Sequence, residues 1–600
     1  MALVIQKYGG TSVGTVERIK AVAQRIYQTV QQGNSLVVVV SAMGKSTDTL
    51  VNLAQQITNN PSRREMDMLL STGEQVSIAL LSMALQELGQ PAVSLTGAQV
   101  GIVTEAAYSR ARILQIKTDR LQKHLDRGEV VVVAGFQGIS SRAELEITTL
   151  GRGGSDTSAV ALAASLKANR CEIYTDVPGI LTTDPRIVSE AQLMDEITAN
   201  EMLELASLGA SVLHPRAVEI ARNFGMPLVV LSSWSDAPGT RVTSPEPKPR
   251  SLEGLELAKA VDGVEVDTDQ AKVALLRIPD CPGVAAKLFG EISNQGIDVD
   301  LIIQSVHESN TNDIAYTVVE KALSKAEAIS QAIAPILGNS SSTDAEVMVD
   351  SQIAKVAISG AGIIGRPGIA AKMFQSLSDA GINIQMISTS EVKVSCVINR
   401  ADCDRASQIL CEAFAIDSSS FPNASRIVNA DTPAVRSVAL DVHKARVAVI
   451  HVPDRPGKAA QIFSTLAEHN VSVNTIIQSQ RCRVINDVPT RDIAFTVSQG
   501  DAEVAKSAIG QLAAEIGYES IILDKAIAKV SVVGSGMLGQ PGVAAKLFRA
   551  LAKENINIQM ISTSEIKISC VIAEADGIKA LQIVHDAFDL GGEEQIKVGC

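Results

Sequence analysis

The stretch INIQMISTSE occupies Ile382–Glu391 and recurs without a change at Ile556–Glu565. An identical decapeptide marks duplicated structure. The match extends outward from it. AKVAISGAGIIGRPGIAAKMFQSL at 354–377 aligns with AKVSVVGSGMLGQPGVAAKLFRAL at 528–551, and AKVALLRIPDCPGVAAKLF at 271–289 with ARVAVIHVPDRPGKAAQIF at 445–463. Both pairs are offset by 174 residues, so a block of that length is repeated in tandem. Each block repeats internally: strand, Pro-Gly turn, helix, short turn, strand. DIAYTVV and DIAFTVS then supply a third strand in units one and three, and KVSCVI and KISCVI in units two and four. A helix and a last strand complete four units of βαββαβ, a ferredoxin-like sandwich. Units this small need a neighbour to bury enough surface. Apolar residues alternate along INIQMISTSE, so one face meets helices and the other a partner or ligand.

The region before the repeat has a different rhythm. LVIQ, LVVVVS (Leu36–Ser41), VVVVAGF (Val130–Phe136) and MPLVVLSS (Met226–Ser233) read as apolar strands. Val16–Gln32, Glu74–Glu87 and Asp156–Leu166 read as helices between them. Such alternation predicts an α/β fold, a mainly parallel sheet covered by helices on both faces. SPEPKPRSLEG (Ser244–Gly254) then breaks the pattern. The expected divisions are 1–245, a linker at 246–256, a first pair of units at 257–430 and a second at 431–600.

Bulk properties exclude several classes. The 600 residues are 46% apolar and carry a net charge of −13 with no basic run, which argues against nucleic acid. The eight cysteines have no CxxC spacing and read as reduced thiols of a cytoplasmic protein. The N-terminus lacks the charged and apolar regions of a signal peptide, and no apolar run suggests a membrane span. GAGIIG (Gly360–Gly365) and GSGMLG (Gly534–Gly539) match the dinucleotide pattern GxGxxG. Units one and three share the architecture without these glycines, and no unit has room for a dinucleotide fold. They read as tight turns that let the backbone approach a neighbour or a small ligand.

Chemistry gathers in the first region. KYGGTS (Lys7–Ser12), SAMGKSTD (Ser41–Asp48), GFQG (Gly135–Gly138) and GRGGSDTSA (Gly151–Ala159) are glycine turns at strand ends or helix starts. Those positions share one edge of an α/β sheet, where ligands bind. Free backbone N–H groups and a helix N-terminus suit phosphate, and Lys7 and Arg152 add full charges. No GxxxxGK[ST] sequence is present.

These segments, with STGEQVS (Ser71–Ser77), YTDVPGILTTDPRIV (Tyr174–Val188) and EMLELASLGASVLHPRAVE (Glu201–Glu219), resemble an aspartokinase in the order they occur. The repeats resemble ACT domains. The resemblance implies an amino-acid-kinase three-layer αβα sandwich followed by four ferredoxin-like ACT units. It also implies that ATP phosphorylates L-aspartate to 4-phospho-L-aspartate, with Mg²⁺ riding on the ATP phosphates. The carboxylate nucleophile is already ionised at pH 7, so charge neutralisation and positioning are what the protein must supply. By resemblance, Lys7 would reach the transferred phosphoryl group and Asp156 would orient it. Ser41, Thr47, Glu74 and Arg152 would hold the substrate, Glu74 at its ammonium and Arg152 at its α-carboxylate. Lys7, Tyr8, Gly9, Gly10, Gly153, Gly154, Ser155, Thr175, Asp176, Asp184 and Arg186 would meet the nucleotide. Each has a plainer reading: Glu74 and Asp156 also suit helix starts, and Arg186 a surface ion pair. His214 is taken as structural, and Ser211 stands where many relatives have lysine. Another carboxylate kinase of this fold, or an inactive amino-acid sensor, are the alternatives.

The same resemblance implies feedback by lysine and threonine and a homo-oligomer, a dimer through its ACT units. The expected first effector site comprises Asp280, Gly283, Ala285, Asp298, Asp300, Gln304, Asn383, Ile384, Ser390 and Glu391. Its copy comprises Asp454, Gly457, Ala459, Ser472, Asn474, Gln478, Asn557, Ile558, Ser564 and Glu565. The acidic first site suits lysine and the second threonine. The plainer reading is that these residues pack an interface.

Overall fold

The computed structural model describes residues 1–592 except 143–144, 209–211, 247–249, 258, 307–310, 338–344, 364–365, 421–432 and 481. The valine-rich strands sit in the middle of an eight-stranded sheet. Its order is 196–198, 240–243, 228–232, 170–175, 3–8, 35–40, 130–134 and 92–95. The last six strands are parallel, and 240–243 turns back against 228–232. Alternation along these strands divides the core in two. Ile5, Val37, Val39, Val131 and Val133 face helices Gly154–Leu166 and Pro215–Phe224. Val4, Leu36, Val38, Val130 and Val132 face helices Val16–Gln31 and Thr72–Glu87. The result is the expected αβα sandwich. The stretch Arg63–Glu87 has the length and hydropathy of a membrane span, but its buried face packs on this sheet.

The repeats form antiparallel sheets. Ten strands from units one, two and four make one sheet, and unit three has a five-stranded sheet of its own. Two strands serve two units each. Gly263–Pro279 and Glu346–Ser359 pair along their length. Ala271–Pro279 with Glu346–Asp350 belong to unit one, while Gly263–Asp267 with Ile353–Ser359 belong to unit two. Unit one is therefore inserted after the first strand of unit two. Ser437–Asp441 pairs with Ile527–Val533 in the same way, enclosing unit three within unit four. Units one and three run βαββαβ in chain order, whereas two and four draw their outer strand from upstream.

The expected pairing, which joins units one and two around the first effector site, does not form. Unit one joins unit four. Strand Ile302–Val306 pairs antiparallel with Met560–Ser564, and the rings of Phe289 and Phe548 lie 5.4 Å apart between facing helices. Unit two joins unit three, with Phe374 and Phe463 5.5 Å apart. Insertion is the cause. It places the edge strands of units one and two, Ile302–Val306 and Met386–Thr389, with four strands between them in the shared sheet, so they cannot meet. Side chains from all four units, including Ile303, Met386, Ile477 and Met560, then close a common core.

The first glycine of each GxGxxG turn serves close approach. A Cβ on Gly360 would lie 2.3 Å from the Ala260 carbonyl, and one on Gly534 2.2 Å from that of Ala434.

Candidate functional site

Strand Leu3–Tyr8 ends at the centre of the first sheet, and its last charged residue meets the N-terminus of helix Gly154–Leu166. There Lys7 Nζ lies 2.7 Å from Asp156 Oδ1. The other Asp156 oxygen accepts the His214 N–H at 3.3 Å. Both ion-pair members are nearly buried, so little solvent screens them. The turns around them are tight. Gly153 has φ +71°, and a Cβ there would stand 2.3 Å from the His214 ring. This explains glycine at that position, and burial holds the pKa of the His214 ring against it below the ordinary value. On the opposite side Gly10 packs against the Ala42 carbonyl, and the Gly44 N–H donates to the Gly10 carbonyl at 3.0 Å. Gly9 lies against Lys7 Nζ, and Gly153, Gly154 and Ser155 start the helix that carries Asp156, backbone of a kind suited to phosphate oxygens.

Glu74 opens helix Thr72–Glu87 and is buried. One oxygen accepts the Ala42 N–H at 3.2 Å, and the other is buried without a hydrogen bond. Burial pushes its pKa up to about 7. An unmatched buried carboxylate oxygen is a ready acceptor for an ammonium group. Ser41 adjoins it at the end of strand Ser35–Val40, and Thr47 lies in the first turn of helix Ser46–Ile57. Arg152 is exposed on the Leu150–Gly153 loop and makes no ion pair among the described residues.

One expectation needs correction. The Tyr8 side chain cannot face a nucleotide: it is fully buried, stacks on Tyr174 at 4.6 Å and leaves only backbone at the site. Asp184 and Arg186 pair with each other at 2.6 Å, and no hydrogen bond or ion pair among the described residues ties them to Lys7. Thr175 and Asp176 do reach the right sheet edge, one strand over from Gly9. Ser211 lies outside the described residues.

Three clefts in the repeats are lined by residues expected at the effector sites. One, between units one and four, is lined by Gly283, Ala285, Gln304 and Asn557. Here Asn557 Nδ2 donates to Asp280 Oδ1 at 2.8 Å, and Gln304 Nε2 to the Ile558 carbonyl at 2.7 Å. Its counterpart between units two and three gathers Asn383, Ile384, Asp454, Gly457, Ala459 and Gln478, with Asn383 donating to Asp454 at 3.1 Å. The third lies beside the Gly534–Gly539 turn and holds Asp298, Asp300, Ser564 and Glu565. Asp300 pairs with Lys355 and Glu565 with Lys393. In the other copy, Asn474 donates to Glu391 at 3.3 Å. Ser390 and Ser472 sit at the matching strand end and turn. The residues expected at one effector site are thus split, because Asp280 faces Asn557 rather than Asn383.

Sequence reasoning missed the joints between regions. Glu204 of helix Ala199–Ser207 is fully buried, pairs with Lys567 at 2.6 Å and accepts the Glu391 N–H at 3.1 Å. Arg216 binds Glu256 at 2.7 Å and donates to the Leu150 carbonyl at 2.5 Å. Thr182 hydrogen-bonds His585 at 3.0 Å. The only signal was the charged residues embedded in apolar runs, as in EMLELAS and IKIS.

Residues 2–232 match the amino acid kinase family, and 356–414, 446–517 and 530–588 match ACT domains. The aspartokinase of Geobacillus stearothermophilus is 50% identical over 416 residues, covering 69% of this chain and 98% of that protein. The aspartokinase of Thermus thermophilus is 47% identical over 420 residues, 70% of this chain and 100% of that protein. The crystal structure of an aspartate kinase from Synechocystis superposes with a TM-score of 0.86 at 64% identity, covering 100% of both chains. With the kinase sandwich, its lysine-centred glycine cradle and the ACT units in one chain, these relationships place the protein in the aspartokinase family.

Proposed function

We propose that the chain transfers the γ-phosphoryl group of ATP to the side-chain carboxylate of L-aspartate, releasing ADP and 4-phospho-L-aspartate. The observation that carries this reading is the Lys7–Asp156 pair set among glycine backbones, with Glu74 presenting an unmatched oxygen. ATP arrives with Mg²⁺ on its phosphates as part of the substrate. No group of three or more His, Cys, Asp or Glu suited to a metal occurs among the described residues, and Asp156 is committed to Lys7 and His214. Lys7 and the N-terminus of helix Gly154–Leu166 offset charge on the transferred group. Glu74 takes the α-ammonium and Arg152 the α-carboxylate, which leaves the side-chain carboxylate to attack in line. Glu74→Ala is expected to abolish aspartate use while ATP still binds. Loss of ATP binding with an unchanged aspartate KM overturns the assignment. Because Glu74 binds an ammonium only when ionised, kcat/KM for aspartate rises with pH through about 7.

The ACT clefts are read as effector sites. The unit one–four interface gathers three carboxylates, Asp298, Asp300 and Glu565, and a lysine ligand there would compete with Lys355 and Lys393 for the last two. The neutral Ser472 and Asn474 of the other copy suit threonine. Calorimetric titration of Asp280→Ala and Asp454→Ala tests two sites against one: loss of the same amino acid in both variants rejects the division.

A further inference from the structure

Asp67 sits on helix Arg63–Leu70 with 0% exposure and no cationic partner among the described residues. Its carboxylate is matched by neutral donors alone. Oδ2 accepts the N–H of Ser109 at 2.9 Å and that of Thr149 at 2.9 Å. Oδ1 accepts the Thr149 hydroxyl at 2.7 Å and the Ser109 N–H at 3.1 Å. Burying a carboxylate is costly, and two segments must be held in place to satisfy it. Both segments border the substrate loop. Thr149 is three residues before Arg152. Ser109 is held in the left-handed region at φ +69°, and its carbonyl lies 3.0 Å from where a Cβ on Gly151 would stand. The helix that carries Asp67 runs through Ser71 into the one that opens with Glu74. One carboxylate therefore ties the segment bearing Glu74 to the loop bearing Arg152.

We propose that Asp67 is a positioning residue for the amino-acid substrate, one that sets the separation between Glu74 and Arg152. This rests on the reading of those two residues as the ammonium and carboxylate contacts. With both ends of the amino acid fixed, the length of the side chain decides whether its carboxylate reaches the phosphoryl group. Asp67 thereby contributes to the choice of aspartate over glutamate, a difference of one methylene.

Steady-state kinetics of the full chain test this. Asp67→Asn turns an amide N–H₂ towards N–H donors. It is expected to raise the aspartate KM about tenfold, leave the ATP KM within about twofold, and lower the aspartate-to-glutamate ratio of kcat/KM. Thr149→Val, which removes one donor, should shift the same parameters by a smaller factor, and it decides the matter if Asp67→Asn does not fold. Arg152→Ala is the reference. If Arg152→Ala raises the aspartate KM while the Asp67 or Thr149 variant lowers only thermal stability and active fraction, the proposal is overturned and the site reading stands. If Arg152→Ala leaves the aspartate KM unchanged, the site reading fails and the proposal falls with it.

Discussion

The two glycine-rich turns are copies in sequence but grip different parts of the kinase region. The turn of unit two delivers Arg366 to Glu219 at 2.7 Å and to the Glu256 carbonyl at 2.5 Å. Glu256 in turn holds Arg216, which holds Leu150 beside the substrate loop. The turn of unit four instead donates the Ser535 N–H to Glu201 at 2.6 Å, and Arg436, which precedes the strand paired beside that turn, donates to the Glu196 carbonyl at 2.6 Å. Unit four also clasps the segment that follows strand Arg170–Thr175: Val438 donates to the Thr182 carbonyl at 2.9 Å and Gln582 to that of Ile187 at 3.2 Å. One module thus grips the side of the region beside the Leu150–Gly153 loop, and its copy the side that follows strand Arg170–Thr175. Duplication supplied the parts, and the sockets gave them separate duties.

The largest test concerns the joint that both copies touch. Lys567→Met leaves Glu204 buried and unpaired, which should cost about 3–5 kcal/mol in urea unfolding. Its counterpart Lys393 pairs with the part-exposed Glu265 and Glu565, so Lys393→Met should cost about 1 kcal/mol or less. Equal losses would erase the asymmetry.

The next test opposes Lys355 and Lys529. Lys355 has Asp300; Lys529 is 1% exposed and makes no ion pair among the described residues. Lys355→Met should destabilise by about 3 kcal/mol, whereas Lys529→Met should be neutral or stabilise by about 1 kcal/mol. Burial, first, and then the neighbouring Lys567 lower the Lys529 pKa to about 8 from 10.5. The unfolded chain binds more protons there between pH 8 and 10.5, so the penalty is full below pH 8 and fades as pH rises through that window. The gap between wild type and Lys529→Met should close accordingly.

A kinetic pair follows. Arg366→Gln should raise the aspartate KM about threefold, roughly 0.7 kcal/mol, and spare that of ATP. Thr182→Val should do the converse. Identical patterns in both variants would end the division between sides. The smallest effect belongs to Arg186→Ala: its pair with Asp184 is 75% exposed on the arginine side and should contribute under about 0.5 kcal/mol to stability.

Periodicity made the fold legible. Alternation in VVVV and the spacing of Ile19, Val22 and Ile26 specify which face meets which core, and the 174-residue offset reveals four units. Lys7, Glu74 and Asp156 were singled out by the ordered set of motifs around them, and the structure brings Lys7 and Asp156 together. Pairing of the units was not, because Gly263–Pro279 reads as one strand whether it serves one unit or two. Asp67 in MDMLL also stayed hidden: its partners Ser109 and Thr149 are far along the chain, and nothing local announces a buried carboxylate. The Glu204–Lys567 joint spans 363 residues and is equally invisible to local pattern.

The crosswise pairing of units one with four and two with three has a consequence for how many chains are needed to build an interface. A chain that stopped after the first block would display Phe289 and Phe374 with no helices to cover them, and would have to collect the missing halves from another molecule. Such assembly depends on dilution. Fusing a second block to the first makes the encounter intramolecular, at the high effective concentration of tethered partners. Each cleft between units then exists at any expression level, whatever the abundance of the chain.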